Sequence, residues 1–148
     1  MSCDAAASIA MFWLAATSPV HPRIELALAP PASVAQEPLF ADIVKRAKGL
    51  KAQAVGMTGR DAPVPAAFAS AIGELSALDM KGHLTLAQRG TDGDLKCILR
   101  GISQDLPLKL AAVQSATDRK ARDLALRDLA YLLNDNVEVI TAPPAPPA

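Results

Sequence analysis

From Leu95 to Val113 the apolar residues Leu95, Ile98, Leu99, Ile102, Leu106, Leu110 and Val113 follow one another at spacings of 3, 1, 3, 4, 4 and 3. A half-buried strand alternates strictly by two, so this rhythm specifies a helix with one wet and one buried face. About five turns of such a helix cannot be left alone in water. Other elements must cover the stripe.

Those elements are legible on either side. Leu39, Phe40, Ile43, Val44, Ala47 and Leu50 repeat the three-and-four spacing and predict a helix over 37–54. Gly56, Gly59 and Pro63 then punctuate a loop, and Pro65 suits the first turn of a second helix. Its face carries Phe68, Ile72, Leu75 and Leu78 or Met80, with Gly82 as the stop, giving 65–80. A final helix over 118–134 starts at Thr117 or Asp118 and buries Leu126, Leu129, Ala130 and Leu133. Arg119, Asp123 and Arg127 form an outer ladder at i, i+4, and after Asn134-Asp135-Asn136 the chain is read as extended over 137–140.

Residues 83–100 are compatible with a hairpin around Gly90-Thr91-Asp92-Gly93-Asp94, but the spacing favours helix. Gly90 would close a short helix, and Asp94 would cap the next. Pro107 predicts a kink, or a break with Ser103 capping a new helix. The expected fold is all-α: a small four- to five-helix bundle with an extended N-terminal segment and a Pro-rich C-terminal tail. Composition agrees, since apolar residues are 51% of the chain and aromatics only 3%, which leaves Leu and Ala to fill the core.

The chain divides at Pro30-Pro31 and before the tail, into an N-terminal segment 1–35, a bundle domain 36–140 and the Pro/Ala tail 141–148. Residues 5–18 are an apolar run of signal-peptide length, too short to span a bilayer of roughly 20 helical residues. Ser33-Val34-Ala35 offers a cleavage site, yet Met1-Ser2-Cys3-Asp4 carries an acid and no base. The reading is cytoplasmic, with periplasmic export as the alternative if residues 1–35 are a signal peptide. No integral membrane span is expected.

Fifteen basic and fifteen acidic residues cancel. The one basic excess, Lys45, Arg46, Lys48 and Lys51, lacks interleaved aromatics and reads as a solvated helix face, so nucleic acid is not an expected partner. Cys3 and Cys97 lie far apart, which disfavours a structural disulfide, and no Cys and His array has metal-ligand spacing.

The polar residues that chemistry would need gather between Asp79 and Asp105. Asp79 and His83 stand at i, i+4, the spacing of a carboxylate that orients an imidazole or of adjacent metal ligands. Asp92, Gly93 and Asp94 resemble the start of a calcium loop, but the twelfth loop position is Ser103 rather than an acid. Cys97 sits at the edge of the apolar stripe as a small buried thiol, and would become a nucleophile only beside a basic group such as His83 or Arg100. Arg89 and Arg100 flank the acidic turn and are expected to pair with Asp92, Asp94 or Asp105. Asp79, His83, Arg89, Cys97 and Arg100 are thus the candidate ligand-binding residues, with no catalytic set, metal or cofactor assigned. P-loop, Rossmann, HExxH and GxSxG patterns are missing from the sequence.

The function these features favour is a non-enzymatic helical interaction protein, adaptor or regulatory, of bacterial type, binding another protein or its own copy. The alternative is a small-ligand or metal-binding bundle in which Asp79, His83 and Cys97 converge on one cavity.

Overall fold

The computed structural model describes residues 34–90 and 93–142. The candidate signal segment, the Pro30-Pro31 boundary, Cys3, Asp92 and the Pro/Ala tail from residue 143 onward lie outside the described residues. A single 3-10 turn, Val34–Gln36, leads into α1 (Pro38–Met57), followed by α2 (Ala66–Arg89), α3 (Gly93–Ser115) and α4 (Arg119–Thr141). Among the described residues there is no strand, so the all-α bundle is the fold and the hairpin alternative falls away.

Local chemistry sets most of the boundaries. Pro38 opens α1, where its missing N–H costs nothing. Gly90 ends α2 in the left-handed conformation at φ 68° and donates its N–H to the Ala87 carbonyl at 3.2 Å. Asp118 caps α4 by accepting from the Ala121 N–H at 2.8 Å.

Four expectations need correction. First, α2 does not stop at Gly82 but runs through it to Arg89. A Cβ on Gly82 would stand 3.2 Å from Leu99 Cδ1 and 3.3 Å from Phe40 Cε1, so this glycine is where α1 and α3 approach α2 closely. Second, α3 is continuous from Gly93, with Asp94 inside its first turn and Pro107 within the helix. Proline at 107 cannot donate to the carbonyl four residues back, that of Ser103. The Ser76 hydroxyl of α2 donates to that carbonyl at 2.7 Å, so the freed acceptor finds a partner and the helix persists.

Third, α4 continues through Asn134-Asp135-Asn136 to Thr141, and the extended segment at 137–140 is helix. Asn136 and Ile140 are fully buried there and prolong the stripe of Leu126, Leu129 and Leu133. Fourth, Cys97 is disulfide-bonded rather than a free thiol.

Cross-helix bonds fix the directions. Arg46 reaches Glu74 and Arg89 reaches Glu37 between α1 and α2. Ser76 and His83 of α2 reach the carbonyls of Ser103 and Lys96 of α3. Lys51 of α1 reaches Asn134 of α4, while the Gly59 amide, just past α1, reaches Asp123. In each pair the numbers rise on one helix as they fall on the other, so these neighbours are antiparallel. Packing is heaviest between α2 and α3 and between α1 and α4, intermediate for α3 and α4, and lightest for α1 and α2. The order around the bundle is therefore α1, α2, α3, α4, with α4 closing on α1. Phe40, Ile43, Ile72, Leu75, Leu99, Leu126 and Leu133 fill the centre with no exposed surface.

Candidate functional site

One polar pair interrupts this apolar interior. Asp79 on α2 and Asn136 on α4 are both wholly buried, and the Asn136 Nδ2 donates to Asp79 Oδ2 at 2.9 Å. These helices are diagonal to one another and share no direct backbone packing, so the bond crosses the middle of the bundle. Two oxygens of the pair, Asp79 Oδ1 and Asn136 Oδ1, have no hydrogen-bond partner.

An ionised carboxylate is costly there, because among the described residues no cation pairs with it and it has no exposed surface. Burial pushes the Asp79 carboxyl up to about 8, with the Asn136 hydrogen bond pulling the other way. At neutral pH the group is therefore held mainly as the neutral acid. Its O–H is the kind of donor the two orphan oxygens lack, and an acid facing an amide can exchange two hydrogen bonds where a carboxylate accepts only one. With no exposed surface, the pair ties α2 to α4 across the core by one hydrogen bond.

The candidate residues separate around this pair. Asp79 and His83 share α2, but Asp79 turns into the core while His83, half-buried, places Nδ1 2.7 Å from the Lys96 carbonyl of α3. Arg89 makes a two-pronged ion pair with Glu37 at 2.8 and 2.7 Å. Its hydrogen bond holds the Glu37 carboxyl below the usual range. Arg100 is exposed on α3, and Cys97 is half-buried in its disulfide. Thus the structure brings Asp79 to Asn136, His83 to the α3 backbone and Arg89 to the entrance of α1. Among the described residues, no three His, Cys, Asp or Glu side chains gather as a metal-ligand group.

Two surface grooves have room for other molecules. One, of about 320 Å³, lies along the loosely packed α1 and α2 seam, between Arg46 and Gly49 on one side and Ala71 on the other. Arg46 is held there by Asp42 and Glu74, each at 3.0 Å, so the basic cluster of α1 is partly neutralised. The second, of about 390 Å³, is bordered by Thr58, Arg119, Lys120, Asp123 and Arg127. Asp79, His83 and Cys97 line neither groove. In the outer ladder of α4, Arg119 approaches Asp61 at 3.8 Å, and Asp123 is engaged by the Gly59 amide at 2.8 Å.

Asn136 does not stand out in the sequence as a core residue, because an Asn-Asp-Asn run reads as a helix stop. The usable signal was Leu129, Leu133 and Ile140, whose three-and-four rhythm passes through position 136.

Comparison of the chain with family models, with curated proteins and with solved structures finds no match. What the structure defines is a class, an antiparallel four-helix bundle with a buried acid and amide pair. Among the described residues no helix is long and apolar enough to cross a membrane.

Proposed function

We propose that this is a non-enzymatic interaction protein, adaptor or regulatory in type, which docks a protein surface against the outer face of α4. The observation that carries the reading is the placement of Leu124 and Tyr131, exposed by 53% and 70%. They stand seven residues apart, so they share one face about 10 Å long, directed away from the buried stripe of Leu126, Leu129 and Leu133. Tyr131 is the only tyrosine of the chain. An amphipathic ring held on a rigid helix is a favoured interface anchor, since little side-chain entropy is lost when it is covered.

The ligand-binding alternative draws less support, because Asp79, His83 and Cys97 each turn to a different partner. For the compartment, a disulfide-bonded Cys97 favours an oxidising one, and because the sequence's one other cysteine, Cys3, lies within residues 1–35, this reading needs that segment retained. The intact mass of the protein from its host tests this: residues 1–35 present is the expected result, and their loss overturns it.

The docking reading is tested by placing a photo-crosslinking side chain at position 131 and, as a control, at the exposed Asp105 of α3. A discrete protein adduct from position 131, weak or missing from position 105, is the expected result. No adduct from 131, or equal adducts from both, overturns the reading.

A further inference from the structure

We infer that the surface covering the outer face of α4 is a second copy of this chain, laid antiparallel across a two-fold axis between Arg127 and Asp128. This rests on the reading of that face as a docking surface. It adds the identity of the partner.

The argument is charge order. Along the outer face of α4 stand Lys120, Leu124, Arg127, Asp128, Tyr131 and Asp135, all exposed except the half-buried Asp135. Every basic residue of the helix, Arg119, Lys120, Arg122 and Arg127, precedes the proposed axis, and the acids Asp128, Asp135 and Glu138 follow it. The one acid in the basic half, Asp123, is engaged by the Gly59 amide. A helix with a basic first half and an acidic second half repels a parallel copy and attracts an antiparallel one.

The register follows from the same residues. A two-fold axis between positions 127 and 128 sets Leu124 against Tyr131 of the second copy, Arg127 against its Asp128 and Lys120 against its Asp135. Each apolar residue meets an apolar one, and each charge meets its opposite. Because a two-fold interface is isologous, every such match occurs twice. Among the described residues, neither Lys120 nor Asp135 has an ion-pair partner in its own chain. Asp128 meets only Lys109, at 3.6 Å on an exposed edge where a second cation can share it. Partial burial and the nearby Glu138 raise the Asp135 carboxyl above its usual range, so a facing cation would relieve it.

The test is sedimentation equilibrium of the full chain from low to high micromolar concentration. A concentration-dependent dimer is expected. Lys120→Glu turns two attractive contacts into two repulsive ones and should weaken it roughly tenfold, as reversing two exposed pairs predicts. Adding Asp135→Lys to Lys120→Glu should restore it, with unchanged helical circular dichroism in both variants. A monomer at every concentration, a dimer indifferent to Lys120→Glu, or no rescue by the second change overturns the proposal. If position 131 then crosslinks to a different protein, the docking reading stands and the self-pairing does not. If it crosslinks to nothing, both fall.

Discussion

A carboxyl with no exposed surface must find a cation or keep its proton, and Asp79 keeps its proton. The sign of the stability effect follows by linkage. With a folded pKa of about 8 against an ordinary value of 3.8, both states carry the proton below the lower figure and neither carries it above the higher. Between them only the unfolded chain releases it, so stability falls as pH rises through that window. Asp79→Asn cannot titrate and keeps an amide facing Asn136. In urea denaturation at about pH 5 and about pH 8, the natural chain should lose on the order of a few kcal/mol relative to the variant. Parallel pH dependences would mean that the carboxyl is ionised and hydrated in the folded protein. At this scale the sequence singled out Asp79 for the wrong companion. The i, i+4 spacing with His83 is real, but spacing along a helix says nothing of depth. Asp79 faces the centre, whereas His83 sits at the seam with α3.

The apolar rhythm located all four helices, and the caps at Asp118 and Gly90 were readable because their chemistry is local. The errors fell where tertiary contacts supply what the local sequence lacks. Gly82 is helical because Leu99 and Phe40 occupy the space a side chain would need, and Asn136 is helical because Asp79 accepts from it. Pro107 is the sharpest case, since its missing N–H is offset from another helix. Ser76→Ala should therefore cost about 1–2 kcal/mol by leaving the buried Ser103 carbonyl unpaired. In a Pro107→Ala background the carbonyl regains a donor within α3, and the same change should cost close to nothing. A double-mutant cycle by chemical denaturation measures the difference. Equal costs in both backgrounds would show that the Ser76 bond has nothing to do with the proline.

Across the whole molecule, the two heaviest interfaces differ in how they are reached. α2 and α3 are consecutive and only three residues apart in sequence, whereas α1 and α4 are the first and last helices of the bundle. Contacts between segments distant in sequence carry a larger loop-closure cost and tend to form late. Leu99→Ala, beside Gly82 at the α2 and α3 contact, should mainly slow folding. Ile43→Val in α1 should mainly speed unfolding, and the two arms of a chevron plot read these effects directly. The reverse pattern would place the docking of α1 early. A ribosome imposes the same order more severely. α1 is synthesised before the two helices that flank it, yet its heavier partner, α4, is made last. Until α4 emerges, Phe40, Ile43, Ala47 and Leu50 form an apolar stripe without its main cover. The interval most exposed to aggregation or chaperone capture is therefore the translation of the remainder of the bundle.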